Sequence, residues 1–449
     1  MNIPDELTYV PAPTPTPVVV KRQAFELRNP KSDVNIPNNL VFDFRINQRT
    51  FVDLKSFYLK MDMIINNTIR RTEFQNGQQR VNLMNLFDEI ILRNEAGVVI
   101  ERLDTANVIA EIYKILFSNA EYDRSFATSY SNTYNIEADQ FTQSSLLGTI
   151  PVFTFHLPIL KILGFFQTGK IIRPSTFGGL HLEFRMVGKP EILFQTVLAE
   201  DDATYADNMD SSVNFQNISL FYDECIVDSS YEQFYNQNFD TRGFRLDIET
   251  VDHTSQTLTS DLNADTVTRL GFEVSNARAL VSVLRPSSHT QKSRTPSNRF
   301  IPPKESNYSY QYVNQGGRFP LVPVTTHAQN LQEVYKFKRS TGTLSQSTHY
   351  HRQTQSHFNP LRIATVNPQT GSYLMFAHLE RLLNSRFTGI PLDSNTLVLE
   401  MKLGANMETV ANTMDIYKEV ATTDTFLLDS YCLYTASVYV MNGQVSVSK

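Results

Sequence analysis

Apolar and polar residues alternate along several segments of the first half of the chain. In one of them Leu180 and Leu182 alternate with His181 and Glu183. Successive side chains of a strand point to opposite faces, so a period of two places the apolar set on one face. The pattern therefore predicts half-buried antiparallel strands. The segments are 40–47, 57–63, 153–157, 180–186 and 218–222.

The second half shows the same alternation. Tyr308, Tyr310 and Tyr312 stand at strand period before a turn at Gly316 and Gly317. The pair 442–443, Asn-Gly, is a two-residue hairpin signal and predicts that the last strand folds back on itself. The alternating segments are 244–249, 277–283, 397–403 and 432–440.

One helical pattern interrupts the strands in each half. We expect the first helix to begin at Thr105, whose side chain is a suitable N-cap, and the second at about Thr326. The inward residues lie three or four positions apart, as one side of a helix requires. They are Val108, Ile109, Ile112 and Leu116 in the first helix, and Leu331, Val334 and Tyr335 in the second.

The landmarks of the two halves recur in the same order. Segment 180–186 resembles segment 397–403, which lies 217 residues later, including a Glu and a basic residue on the polar face. The helix starts are 221 residues apart, and the closing strands, near 218 and 433, are 215 residues apart. Ordered coincidence of this kind indicates an internal repeat. The sequence therefore predicts an all-β fold of two tandem eight-stranded antiparallel jelly rolls, each with a short helix inserted.

The repeat suggests domain boundaries. We expect the first jelly roll at 23–230 and the second at 231–449. Residues 1–22 contain five prolines and are predicted to form an extended N-terminal arm without a core of its own. Such an arm either stays disordered or becomes ordered against a neighbour.

Composition narrows the classes of function. The formal net charge is −6, and the basic pairs Lys21-Arg22 and Lys338-Arg339 are too few for a nucleic-acid footprint. No apolar run approaches the roughly 18 residues of a membrane span, and the N-terminus lacks a signal-peptide pattern. We therefore expect a soluble protein that is made in the cytosol and binds no specific nucleic acid.

The two cysteines, Cys225 and Cys432, are too few for a disulfide framework. Both lie on predicted core strands, where a thiol behaves as a small buried apolar group rather than as a nucleophile. Common enzyme motifs, such as a phosphate-binding loop or a nucleophile elbow, are missing from the sequence. The prediction is a protein without catalytic or cofactor-binding residues.

Two polar clusters are candidate metal sites. His349, His351 and His357 include a His-x-His pair, but a cupin would follow that pair closely with a Glu, and here residues 352–355 are Arg-Gln-Thr-Gln. An acidic cluster in a polar loop lacks the spacing and central Gly of a calcium loop. We interpret the first as a polar loop or subunit contact and the second as a solvated loop, and predict no metal site. The acidic residues are Glu200, Asp201, Asp202, Asp207 and Asp210.

From about residue 23 to residue 449 the chain resembles the double jelly-roll major capsid proteins of double-stranded DNA viruses, in the lineage of polinton-like viruses, virophages and nucleocytoplasmic large DNA viruses. The likeness is one of pattern more than of letters, and no single motif is diagnostic. The matching segments are 82–92 with the following helix, 157–160, 179–184, 310–320, 323–326 with its helix, and 397–401.

The resemblance implies a structural protein of the virion. Three chains with two wedge-shaped jelly rolls each would form a pseudo-hexagonal homotrimer, and such capsomers would tile an icosahedral shell. Implied partners are further copies, neighbouring capsomers, and penton and minor capsid or cement proteins. Loops 119–150, 187–212 and 285–306 would form the outer crown and the trimer contacts. The arm at 1–22 would reach neighbours or the particle interior, including an inner membrane.

Two other classes stay open at this point. A carbohydrate- or receptor-binding β-sandwich protein would use exposed aromatic side chains, for which Tyr308, Tyr310 and Tyr312 are the candidates. A bicupin-type metalloenzyme would use the histidine cluster at 349–357. A glycan-binding screen distinguishes the first class from a shell protein, and metal analysis distinguishes the second.

Overall fold

A computed structural model of the chain describes fifteen segments. They are 18–29, 33–36, 40–47, 49–65, 83–117, 143–147, 150–188, 213–258, 265–286, 300, 308–340, 373–380, 389–402, 426–441 and 443–449.

The first half of the chain forms two antiparallel sheets. Its strands are β1 Val19–Arg28, β2 Asp33–Ile36, β3 Val41–Ile46, β4 Phe51–Ile65, β5 Phe87–Asn94, β6 Val99–Asp104, β7 Gln143–Leu147, β8 Ile150–Pro158, β9 Ile171–Ile172, β10 Leu180–Met186 and β11 Val213–Val227. The larger sheet has the order β1-β11-β4-β8-β7, with β2 beside β11 and β9 beside β4. The smaller sheet has the order β3-β10-β5-β6.

The second half also forms two sheets. Its strands are β12 Phe244–Leu258, β13 Thr266–Arg269, β14 Val274–Pro286, β15 Ser309–Asn314, β16 Gly317–Val324, β17 Met375–His378, β18 Ile390–Leu392, β19 Val398–Lys402, β20 Phe426–Met441 and β21 Gln444–Ser448. One sheet has the order β12-β20-β14-β17, with β18 beside β14 and β21 beside β20. The other has the order β13-β19-β15-β16.

The two halves share one topology. The order β1-β11-β4-β8 corresponds strand for strand to β12-β20-β14-β17, and β3-β10-β5-β6 corresponds to β13-β19-β15-β16. Each pair of sheets is an eight-stranded Greek-key sandwich, which is a jelly roll. The predicted fold of two tandem antiparallel jelly rolls is confirmed, and the repeated segment 180–186 is β10, the equivalent of β19 in the second half.

Four α-helices accompany the strands in the described segments: α1 Ala106–Phe117, α2 Gly164–Gln167, α3 Ser229–Tyr235 and α4 His327–Ser340. Helices α1 and α4 occupy equivalent places after β6 and β16, as predicted. Helix α3 continues into a π-helical turn, Asn236–Asp240, and connects the two halves. The predicted boundary at residue 230 falls inside this connection.

The two predicted helix caps have different outcomes. The Thr326 hydroxyl accepts the backbone N–H of Gln329 at 3.2 Å, and the Gln329 side chain accepts the N–H of Thr326 at 3.2 Å. This reciprocal pair is a capping box. The prediction for Thr105 is wrong, because its hydroxyl donates to the Asp104 carbonyl at 2.6 Å and accepts no helix N–H.

The predicted arm at 1–22 overlaps the first strand. Val19 to Arg22 belong to β1 and pair with the end of β11, with Val19 opposite Val227. Residues 1–17 lie outside the described residues.

Each sandwich closes over an aromatic core. In the first half Phe42, Phe44, Phe87 and Phe184 form a buried cluster in which Phe42 and Phe184 stack at 5.1 Å. In the second half Tyr310 and Tyr312 are buried with helix α4, whose Asn330 accepts the Tyr310 hydroxyl at 2.5 Å. Helix α4 therefore faces inward with a polar residue as well as with Val334.

The three predicted surface loops fall largely outside the described residues. The connections that contain the first two of these loops follow β6 and β10. Both strands end beside the start of β5, with Asp104 opposite Glu89 and Met186 opposite Phe87. These two connections therefore begin at the same end of the smaller sheet. Among the described helices none is both long and apolar enough to cross a membrane.

Candidate functional site: the junction of the two jelly rolls

The two jelly rolls pack against each other along one face of each. Strand β6, helix α1 and the turns between β8 and β10 of the first half contact β12, β20, β21 and helix α4 of the second half. Their buried apolar residues form one continuous core cluster. The junction is therefore part of the folded core, and it fixes how the two repeats are placed within one chain.

The sheet of the second half that carries β14 and β20 is buried on both faces at this junction. Val281 and Val283 of β14, like Asp429 and Tyr431 of β20, are all buried. The Tyr431 hydroxyl lies 2.8 Å from the hydroxyl of Thr105 in the first half. Thr105 has a φ of +55°, which a β-branched residue rarely adopts. Its backbone turns the chain from β6 into α1 and presents the hydroxyl to the second half.

Glu101 of β6 is a buried carboxylate at the centre of the junction. One carboxylate oxygen accepts the N–H of Gly164 at 2.8 Å and the other accepts the N–H of Phe165 at 2.9 Å, both at the start of α2. Thr250 of β12, in the second half, adds a side-chain hydrogen bond. Burial raises the pKa of Glu101 to about 7, although these hydrogen bonds favour the ionised form.

A second charged cluster lies on the buried face of β20. Asp429 accepts the Arg285 guanidinium N–H at 2.6 Å and lies 3.0 Å from the ring of His253. Burial opposes ionisation of Asp429, but His253 and Arg285 together hold the pKa of its carboxyl below the usual range. Because both charges of the Arg285–Asp429 pair lie inside the core, removal of either partner takes a compensating charge from the other in a poorly solvated place.

A small cleft at the junction contains Arg278 of β14. The Arg278 guanidinium contacts Glu249 at 2.6 Å and also pairs with the buried Glu380. Two carboxylates therefore surround this single cation, and the cleft presents no uncompensated positive charge to an anion. The cleft is lined by Tyr113, Gln167, Glu249, Thr250, Arg278, Phe337, Leu433 and Tyr434.

Glycine permits the closest backbone approaches at the junction. A Cβ on Gly164 would collide with the backbone carbonyl of Glu249 in β12. A Cβ on Gly178 would lie 3.1 Å from the carbonyl oxygen of Gly443, in the last hairpin of the second half. The turns between β8 and β10 thus reach the second half through their main chain.

The described residues leave the equivalent face of the first half partly exposed. On the larger sheet, outward residues Tyr58 of β4 and Phe221 of β11 stack in parallel at 5.0 Å, and His156 of β8 lies 5.7 Å from Tyr58. Tyr58 and Phe221 are only partly buried, whereas His156 is exposed. In the second half the corresponding face carries the buried pair Val281 and Tyr431.

The residues that the sequence offered as candidate chemistry do not meet at one place in the described structure. Cys225 and Cys432 are buried, and burial raises the pKa of both thiols. Tyr308, Tyr310 and Tyr312 are buried in the core and form no exposed aromatic surface. The histidine cluster at 349–357 and the acidic cluster at 200–210 lie outside the described residues.

No group of three or more His, Cys, Asp or Glu side chains is placed to hold a metal ion within the described segments. The residues that do hold the junction together, Glu101, Thr105 and Asp429, were not singled out for this role by sequence reasoning. The available signal was a charged residue that directly follows apolar residues within a strand, as Glu101 does in β6 and Asp429 in β20.

Comparisons with known proteins rest on structure. No protein-family model matches the sequence, and no curated protein matches it either. Solved structures of viral capsid chains do match over nearly the whole length. The chain is similar to the capsid protein in a quasi-atomic model of the virus PBCV-1, with a TM-score of 0.59 and 11% identity over 96% of this chain and 97% of that chain.

Two further structures show the same likeness. A chain of the Sputnik virophage matches with a TM-score of 0.58 and 11% identity, over 100% of this chain and 92% of that chain. The major capsid protein of mavirus matches with a TM-score of 0.54 and 9% identity, over 100% of this chain and 95% of that chain. At these identities the likeness is one of fold. The chain therefore has the double jelly-roll fold found in the major capsid proteins of these viruses.

Proposed function

We propose that this protein is the structural major capsid protein of an icosahedral virus and has no enzymatic activity. The observation that supports this most is the pair of topologically identical jelly rolls joined by a buried junction, in a chain that matches viral capsid chains over nearly its whole length. Two similar wedges in each of three chains give a three-fold object with a six-sided outline, which fills a shell lattice.

Partners follow from this proposal. Each chain would associate with two further copies and with neighbouring capsomers, and the completed shell would include penton and minor capsid or cement proteins. The arm at 1–22 would contact neighbours or an inner membrane, and the connections at 119–150, 187–212 and 285–306 would form the outer crown. The protein would be made in the host cytoplasm and reside in the virion.

Light scattering coupled to size exclusion tests the first requirement of this function. We expect the purified protein to elute as one species of three times the 51.3 kDa chain mass. A stable monomer over the micromolar range contradicts the proposal.

Two alternative functions are tested separately. A sugar-binding module is disfavoured because Tyr308, Tyr310 and Tyr312 are buried. A bicupin enzyme would be indicated instead by a stoichiometric transition metal in the purified protein.

A further inference from the structure

Strand β16 is an edge strand of its sheet among the described strands, and it carries a large bulge. In its pairing with β15, Tyr312 lies opposite Phe319 and Tyr310 lies opposite Val324. Residues 320–323 therefore stand opposite the single residue Gln311. The side-chain N–H of Gln311 donates to the carbonyls of Pro320 at 2.8 Å and of Leu321 at 3.2 Å, which holds the bulge in place. We call residues 320–323 the β16 bulge.

The β16 bulge presents apolar side chains to solvent. Leu321 is 84% exposed and Val322 is 65% exposed, the highest values among the large apolar residues of the described segments. Free sheet edges usually carry charges, which prevent unwanted pairing. An exposed apolar projection on such an edge instead marks a contact surface.

The equivalent strand of the first half already has a partner. Strand β6 occupies the same edge position as β16. It packs on β12 and β21 of the second half, and its residues Ile100, Glu101 and Leu103 are buried there or in the core. Within the described residues of one chain, the outward side chains of β16 have no such cover.

The face of the second-half sheet that the first half covers has an equivalent in the first half, and the described residues leave that equivalent partly exposed. Within the chain, the first half lies over the face of the second-half sheet that carries Val281 and Tyr431. The corresponding face of the first-half sheet carries the Tyr58–Phe221 stack with His156 beside it. We call this the β4–β11 face. Its aromatic rings offer apolar area of the kind that Leu321 and Val322 would bury.

We propose that the β16 bulge of one copy packs on the β4–β11 face of a second copy. The contact between copies would then resemble the contact between the two halves of one chain, in which the turn after β6 reaches Tyr431 of β20, the equivalent of β11. This inference rests on the self-association proposed above and names the surfaces that make it. Because two different surfaces meet, the interface is head-to-tail, and such contacts close into a ring when the rotation allows.

The variants Leu321→Asp and Val322→Asp, made singly and together, test the inference by light scattering. A charge at a desolvated apolar contact is strongly unfavourable. We expect the double variant to show a threefold lower mass than the wild type, at an unchanged far-ultraviolet circular dichroism spectrum. The matched control is Val267→Asp in β13, at the opposite edge of the same sheet, where Val267 is 64% exposed. The control is expected to remain a trimer.

A trimeric double variant overturns this inference and leaves the proposed function standing. A monomeric wild type overturns the proposed function and the inference together, so the two failures are distinguishable. If Val267→Asp also dissociates the trimer, the effect is one of charge rather than of the β16 bulge, and the inference is contradicted.

Complementation tests the pairing of the two surfaces. Tyr58→Glu places a charge on the β4–β11 face and leaves the bulge intact. Each variant alone is expected to be monomeric, but a mixture of Tyr58→Glu with the double bulge variant retains one intact bulge and one intact face. The mixture is therefore expected to form a one-to-one dimer in native mass spectrometry. A mixture that stays monomeric, with both variants folded, contradicts the head-to-tail pairing.

Discussion

At the scale of single residues, the junction depends on polar groups that are buried and satisfied. Glu101 accepts two backbone N–H groups of the first half and a hydrogen bond from Thr250 of the second half. A buried carboxylate of this kind costs free energy when it ionises, unless its hydrogen bonds compensate. Glu101 therefore combines a structural role with a titration near neutrality.

The pH dependence of stability tests this account of Glu101. Its folded pKa of about 7 lies above the ordinary value of 4.5. The folded state therefore binds the proton more tightly, and the stability gained from this proton is lost as pH rises from about 4.5 to about 7. The loss is on the order of 3 kcal/mol. We expect Glu101→Gln, which cannot ionise, to remove this slope from urea-denaturation profiles, and an unchanged slope would show that Glu101 titrates normally.

Removal of one partner of the buried Arg285–Asp429 pair is expected to destabilise the protein strongly. Asp429→Asn removes the carboxylate that pairs with Arg285 and contacts His253, and breaking a buried pair of this kind costs about 3 to 5 kcal/mol. Asp247→Asn is the matched control, since Asp247 pairs with the exposed Arg245 at 2.6 Å and such pairs contribute about 0 to 1 kcal/mol. Urea denaturation measures both, and equal effects would refute the role assigned to the pair.

At the scale of elements, helix α2 fits against β12 only because its first residue is glycine. We expect Gly164→Ala to separate α2 from β12 and to lower the unfolding midpoint in thermal denaturation, because the added Cβ meets the Glu249 carbonyl and Glu101 then loses its two N–H donors. Gly271→Ala is the control, since a Cβ there meets nothing within 4 Å. Equal unfolding midpoints for the two variants would contradict this explanation of how α2 packs.

Period-two alternation was sufficient to predict most of the strands, because most strands have one face in the core and the other face polar. Segments 40–47 and 180–186 are recovered as the neighbouring strands β3 and β10. The spacing of 217 residues between the two similar segments also matched β10 correctly to its equivalent, β19. Alternation fails in β20, where residues 428–436 are buried on both faces, because the first half covers the outer one.

The junction was not predictable from pattern. The sequence predicts Thr105 as a helix cap, but its left-handed backbone directs the hydroxyl to Tyr431, which is 326 residues away in the sequence. The sequence predicts that helix α4 faces inward through Leu331 and Tyr335. In the structure Asn330 is fully buried, and its side-chain N–H donates to the Leu374 carbonyl at 2.6 Å. Contacts between distant polar groups depend on the assembled fold, and the local periodicity of the sequence does not predict them.

At the scale of the whole molecule, the two halves of the chain form one buried contact, and we propose that a second contact of the same kind forms between copies. The first half covers the large sheet of the second half. Among the described residues the β16 bulge is exposed and the β4–β11 face is partly exposed, and these are the surfaces that we propose meet between copies. If contacts within and between chains are equivalent, jelly rolls alternate around a closed ring, and three chains supply six wedges.

Negative-stain electron microscopy of the purified protein tests this claim most directly. The account predicts class averages with three-fold symmetry and a six-sided outline, in which six similar lobes surround the axis. Particles that are single two-lobed chains, or rings with a number of lobes other than six, would contradict it.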